Sequence, residues 1–356
     1  MAENIVSDTA TRIFADFADP QTVNKARDAS WRPVLWQHLT DAGLPLAWVA
    51  ESLGGAGGEI ADGFELARIS GKFAAPVPLG ETLLAGWLLA QASIASPPGV
   101  MTIAPCRPRD RITLRADGRL AGRARGVAFA SVADHLAVLV DGSAGRKIAL
   151  LDAKSCRIAD RKSLAGDPIG DVVFDDAAPL KMADAPAGLD AQNLMMMGAT
   201  VRAMETAGAL QALLEMSTQY AQDRVAFGKP IAKFQAVQHN LARLAGEAAA
   251  AMTAAGSAAD ALATIGADAA QFDEAIFLEV ASARIRSAEA ATEGAAIAHQ
   301  VFGAIGFTKE HVLHRYTMRL LSWRDDFGNE SQWALDLGNR IAARGADELW
   351  PFLASR

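Results

Sequence analysis

Hydrophobic and polar positions alternate in three different regimes along the 356-residue chain. Through residues 1–97, apolar residues recur at three- and four-residue steps in short runs broken by Gly and Pro. This pattern predicts amphipathic helices over Trp36–Ala42, Phe64–Phe73 and Leu83–Ala92. Between 98 and 185 the period shortens to two. RITLRADGRLAG, HLAVLVDG, RKIALLDA and DVVFDDA alternate apolar with polar residues and stop at Gly or Asp, which predicts a small sheet or barrel. From 186 to 356 the chain is rich in Ala, Leu, Met and Glu, with a helical period over long spans. There Phe234, Val237, Leu241 and Leu244 share one face and read as core or helix-interface residues. The expected fold is mainly α with a small β domain: an α-helical N-terminal domain, a middle β-barrel or sheet domain, and a C-terminal helical bundle.

Composition narrows the function. A 51% hydrophobic chain of this length buries a large core, and two or three domains are expected. The net charge of −7 argues against a nucleic-acid or anionic-membrane partner, so an anionic ligand must be held by local groups. Two cysteines, Cys106 and Cys156, give no disulfide framework and fit a reducing cytoplasm. The acidic, helix-patterned N-terminus MAENIVSDTATRIFADF has no apolar run long enough for a signal peptide, and a soluble cytoplasmic protein without a membrane span is expected. His311 and His314 stand three apart, but no carboxylate or cysteine framework accompanies them, and no metal is expected.

The most informative stretch is Tyr220–Ala242, YAQDRVAFGKPIAKFQAVQHNLA. It predicts a helix ending near Arg224, a turn through Gly228, Lys229 and Pro230, and a second helix with Pro in its first turn. Arg224 would then stand beside a helix N-terminus, where backbone N–H groups and the macrodipole favour an anion. Phe227 could cover that anion and Gln235 could hydrogen-bond it or an attached base, an arrangement suited to a nucleotide pyrophosphate. The simpler reading, an exposed helix-end cation, stays open on these residues alone.

The same stretch resembles the signature of the acyl-CoA dehydrogenase family, R-x-x-F-G-[KR]-x-I-x-x-F-Q. HQVFGAIGF, residues 299–307, resembles the family's Q-x-x-G-G-x-G-F turn; Gln300 and Gly303 match, and Ala304 stands where a second Gly is usual. A backbone contact survives that change only if φ at Ala304 is negative. GLPLAWVAESLGGAGG, residues 43–58, keeps the Gly54-Gly55 pair of an N-terminal family motif, with Ala50 and Leu53 replacing its Pro and aromatic. The resemblance implies an α-helical domain, a β domain and a C-terminal four-helix bundle, with FAD as cofactor. Arg224 and Phe227 would contact FAD across a subunit boundary, Gln235 would reach its adenine side, and Gln300 and Gly303 would complete the site.

Two departures matter. MTIAPCRPRDRI (101–112) and ARGVAFASVADHL (124–136) stand where the family carries a flavin-contacting T-E-P-x-A-G-S-D loop and a W-x-T/S strand; only Ser131 and Phe129 suggest equivalents. The family's catalytic glutamate, which removes the α-proton of the acyl thioester, is also missing. Aligning RDDFGNESQW on Gly328 puts Phe327 at its position, leaving only a backbone N–H for the thioester oxygen. The alternative position on the first C-terminal helix falls on Gly198; Glu205 lies two turns further, about 10 Å too far. Asp326, preferred over Glu330, is the candidate base, unless Arg324, Asp325, Asp326 and Glu330 form a solvated loop. Met195-Met196-Met197 reads as core or as the lining of an acyl tunnel. Arg202 reads as a partner for a CoA phosphate or for Glu205.

The resemblance thus implies an FAD-dependent acyl-CoA dehydrogenase-like oxidoreductase. It would convert an acyl-CoA to the 2,3-enoyl-CoA, pass electrons to an electron-transfer protein, and form a homodimer or tetramer. The alternative is a base-less partner subunit in a heterotetramer with a homologous chain. A third reading keeps only a scaffold that binds a CoA ester or a protein.

Overall fold

The computed structural model describes residues 5–26, 28–265 and 272–354. Five helices open the chain: α1 (Ile5–Ala18), α2 (Pro20–Lys25), α3 (Trp31–Asp41), α4 (Ile60–Lys72) and α5 (Leu79–Gln91). The three predicted helices are α3, α4 and α5, each starting four or five residues early. The added residues include the fully buried Leu35 in α3, and at the start of α4 Glu59 and Asp62 cap the helix reciprocally. Before α4, Gly54 takes a φ of +89°, and a Cβ on Gly55 would lie 2.1 Å from the Val49 carbonyl oxygen, so both glycines of the pair serve the turn.

Eight strands follow: β1 (Met101–Ala104), β2 (Arg111–Leu114), β3 (Leu120–Ala128), β4 (His135–Gly142), β5 (Gly145–Asp152), β6 (Arg157–Lys162), β7 (Pro168–Ala177) and β8 (Lys181–Asp184). They form one sheet in the order β6-β7-β3-β2-β4-β5-β8, with β1 added parallel to β4. The alternation predicted for HLAVLVDG is absent: Leu136–Val140 are buried without interruption. Helix α5 packs on β4, so that strand is covered on both faces and needs no polar side. Helix α5 is itself buried from Leu79 to Leu89, and Thr82 ties it to the sheet through a 3.0 Å hydrogen bond to the Met101 carbonyl.

The remaining chain is helical: α6 (Ala191–Asp223), α7 (Gln235–Ile265), α8 (Glu274–Phe302), α9 (Leu313–Trp323), α10 (Glu330–Arg344) and the short α11 (Leu349–Ala354). Helices α6, α7 and α8 pack on one another, and α9 and α10 lie against α8. Helix α7 is long and apolar enough, by length and composition, to match a membrane span, a pattern the expectation of none overlooked; it packs on α6 and α8, with 39% of that window buried. Of the four residues predicted to share a buried face, Leu244 is fully buried, while Val237 and Leu241 pack against the same cluster from its edge.

One local prediction fails. Pro230 does not open a helix; it ends a two-stranded hairpin, β9 (Val225–Ala226) and β10 (Lys229–Pro230). Phe227 and Gly228 both have positive φ, 51° and 79°, the conformation of a two-residue type I′ turn. One turn of 3-10 helix then precedes α7, whose N-terminus lies at Gln235.

Candidate functional site

The α6–α7 junction displays its polar groups to solvent. Arg224 caps α6 in an extended conformation and is exposed, and its side chain has no hydrogen bond or ion pair among the described residues. Phe227 is 95% exposed although its left-handed backbone costs about 1–3 kcal/mol, strain of the kind stored at functional sites. Gln235, also exposed, starts α7, where the first amides lack intrahelical acceptors.

The C-terminus of α8 lies at the same end of the bundle, because Tyr220 of α6 stacks on Phe302 at 4.3 Å and donates a hydrogen bond to its carbonyl. Gln300 and Gly303 there are exposed, and Gly303 adopts φ 63°, ψ −143°, a region open to glycine. Ala304 has no positive φ, so it meets the condition set for its substitution. An unpaired guanidinium, a helix start and a solvent-held ring fit the anionic nucleotide half of FAD.

The second site is built around Phe327, 3% exposed and held at φ +54°. A Cβ on Gly198 would lie 2.3 Å from the Phe327 ring. The two alternative positions for the family's glutamate therefore meet at one point, and an aromatic ring occupies it. The loop owes its shape to Arg284 of α8, a fully buried residue. Its guanidinium donates to the carbonyls of Trp323 (2.6 Å), Arg324 (2.7 Å), Asp326 (2.8 Å) and Gly328 (3.1 Å). Burial pushes Arg284 down to about 10. Trp333 Nε1 donates to the Phe327 carbonyl at 3.0 Å, whereas the Phe327 backbone N–H has no acceptor among the described residues.

Behind the ring, Arg202 gathers three carboxylates. Its Nε meets Asp326 at 3.0 Å, one terminal nitrogen meets Glu205 at 2.5 Å, and the other meets Glu81 of α5. The guanidinium lies over the Phe327 ring at 5.7 Å. Asp326 thus belongs to a half-buried ion cluster rather than a solvated loop, and Glu330 is paired with Arg324. Burial pushes the Glu205 carboxyl up to about 7, against the pull of Arg202 and with the push of Glu81 and Asp326.

A carboxyl raised on folding binds its proton more tightly in the native state, so the stability it contributes is complete below its unfolded value and is lost as pH rises through about 7. Glu205→Gln is expected to flatten the fall in stability between pH 5 and 7, read from urea denaturation at several pH values. An unaltered slope would show that another group carries it.

The two divergent β segments line this place. Thr102, Ile103, Cys106 and Arg107 from one, and Gly126 and Ala128 from the other, face Phe327, Asp326 and Arg202 across a space of about 10 Å³, room for one water. An adjoining cavity of about 240 Å³ shares Arg107, Arg202 and Asp326 and adds Phe129 and Trp323. Ser131 points elsewhere and hydrogen-bonds Asp160 at 2.7 Å. Arg107 donates to the Asp325 carbonyl at 3.0 Å and lies 3.0 Å from where a Cβ on Gly126 would be. Directly against Phe327 the space is therefore nearly filled by this chain's own side chains, and the adjoining cavity stays open.

On the far side of the loop, Met195, Gln192, Gln332 and Trp333 line an open cavity of about 320 Å³, while Met196 and Met197 are core. His311 accepts from the Leu313 amide and His314 contacts the His311 carbonyl; among the described residues no group of three or more potential ligands could hold a metal. Sequence reasoning missed Glu81, Arg107, Gly126 and Arg284. The detectable signals were an acid inside the apolar run LGETLLAGWLLA and an arginine inside an Ala-rich helix.

The helical segment, the mixed sheet and the helical bundle, with an exposed arginine at one bundle end, follow the layout that the resemblance implies. The profile of the acyl-CoA dehydrogenase C-terminal domain matches residues 189–328. Acyl-CoA dehydrogenase IpdE2 of Mycobacterium tuberculosis is 27% identical over 350 residues, covering 97% of this chain and 96% of that protein. The fold matches the ChsE4-ChsE5 complex from Mycobacterium tuberculosis with a TM-score of 0.82 at 22% identity, covering 95% of this chain and 96% of that one. It matches the Tcur3481-Tcur3483 steroid ACAD with a TM-score of 0.80 at 25% identity, covering 96% and 98%. Residues 189–328 thus match the acyl-CoA dehydrogenase C-terminal domain, and the chain is similar along nearly its whole length to acyl-CoA dehydrogenases.

Proposed function

We propose that this chain is the base-less subunit of a heteromeric acyl-CoA dehydrogenase, completing the FAD site of a homologous chain that carries the glutamate. The observation that carries this reading is the Phe327 ring lying against Gly198, which leaves neither base position with an acid. The nearly filled space against Phe327 and the exposed, unpaired junction support it: the chain keeps what grips a nucleotide and has lost what surrounds a reacting thioester. Two structural neighbours, ChsE4-ChsE5 and Tcur3481-Tcur3483, are each named for two chains.

When bound, FAD supplies the hydride acceptor for 2,3-dehydrogenation of an acyl-CoA. In this reading Arg224 donates to its diphosphate, Gln235 and Gln300 bond its nucleotide end, and Phe227 shields that end from water. The Arg202 cluster and Phe327 leave room for no more than one water in the space between them. Electrons then pass to a separate electron-transfer protein.

The test is anaerobic mixing with acyl-CoAs of several lengths. The chain alone with FAD is expected to show no bleaching of the flavin band, and bleaching is expected once the homologous base-bearing chain is added. The assembled pair should hold one FAD per two chains. Bleaching by the chain alone would overturn the proposal, and its loss in Asp326→Asn with FAD still bound would assign the base to Asp326. That second reading rests on Asp326 lining both spaces beside Phe327.

A further inference from the structure

The outer face of the sheet carries a row of arginines that the fold holds in place without neutralising. Along β2, β3, β7 and β6, Arg111 stands directly opposite Arg123, Arg123 opposite Val173, and Val173 opposite Arg157. The neighbouring residues Ile112, Ala124 and Val172 are buried, so the row points to solvent. At a strand spacing of about 4.8 Å, it is about 14 Å wide.

Two buried carboxylates order this array. Asp171, 8% exposed, meets Arg123 and Arg161 together, the latter at 2.5 Å, and accepts the Gly126 amide at 3.0 Å. Asp110, 4% exposed, accepts from the Arg125 side chain and amide, each at 2.8 Å. Arg111 is tethered by the carbonyls of Pro108 (2.9 Å) and Asp110 (2.8 Å), which bring no charge. Arg111 and Arg157 are exposed, with no ion pair among the described residues. Five guanidiniums thus meet two carboxylates, a local positive excess on a chain of net charge −7. Like charges directly opposite across a sheet destabilise it, and Arg111 against Arg123 is such a pair. An anionic partner removes that cost and meets donors that are already ordered.

We infer that this face is a docking surface for a protein partner presenting a cluster of carboxylates. The planar guanidinium fork pairs with a carboxylate through two parallel hydrogen bonds. The surroundings favour a protein over an extended polyanion. Towards the β2–β3 turn, both signs interleave: Arg115 pairs with Asp175 and Asp176, and Arg119 with Asp176. Asp160 stands exposed on β6. A nucleic acid or an anionic bilayer reaching past the row meets these carboxylates and the negative field of the whole chain, whereas a protein surface can match a narrow strip. The face uses no residue of the α6–α7 junction or the 323–328 loop, so it stands apart from the subunit reading above.

The test is fluorescence anisotropy of a labelled octaglutamate peptide titrated with the purified full chain. Saturable binding is expected, weakening as salt is raised. Arg111→Gln with Arg157→Gln should weaken it about tenfold. Arg243→Gln with Arg344→Gln, the same change in net charge placed on α7 and α10, should leave it unaltered. Arg111→Gln alone should keep or raise the melting temperature, because the opposed pair is relieved; its weaker binding is then not unfolding.

No saturable binding, or equal weakening by the two double variants, overturns the site. Duplex DNA of equal charge, or phosphatidylserine vesicles, binding as tightly as the peptide also overturns it, by showing a face that takes any polyanion.

Discussion

Arg284→Ala is expected to lower the stability of the folded chain by about 3–5 kcal/mol, the range found when one partner of a buried charged network is removed. Arg284 sits beneath the 323–328 loop and satisfies four of its carbonyl oxygens. Without it those acceptors stay in a dry interior, and the strained φ of Phe327 loses its restraint. Lysine cannot replace it, since one ammonium cannot reach four carbonyls at once. Urea denaturation should show a lower midpoint at constant slope for both variants. A loss below about 1 kcal/mol would mean that the loop holds itself.

Arg224→Gln should leave folding unchanged and weaken FAD binding in the assembled pair by about a hundredfold, as a charged hydrogen bond of about 1.5–3 kcal/mol is lost. The side chain is exposed and unpaired, so no native contact disappears with it. FAD fluorescence on dilution reads the effect directly. Unchanged release would place the diphosphate elsewhere and remove the junction from the cofactor site.

What the sequence disclosed follows the range of the interactions. The helices α3, α4 and α5 were visible because their apolar positions repeat at helical steps, while their first turns, interrupted by Pro33, Asp62 or Gly80 and Glu81, were not. Strand β4 gave a misleading alternation because burial on both faces depends on α5, which lies outside any local window. The junction was readable because Arg224, Phe227 and Gln235 are close in the chain. Its hairpin was not, because a phenylalanine at a left-handed turn position defies turn preferences. Phe327 and Gly198 could each be located through the resemblance, yet only folding shows that they touch. The Arg202 cluster unites α5, α6 and the loop before Gly328, and no spacing rule reaches that far.

The contact between Phe327 and Gly198 also constrains where a glutamate could be introduced into this chain. A glutamate arising at 198 would collide with the ring, so that mutation is barred until 327 has first become smaller. A glutamate arising at 327 would inherit a left-handed backbone that its Arg284 clamp already enforces. Steric exclusion therefore dictates the order in which the two positions could change.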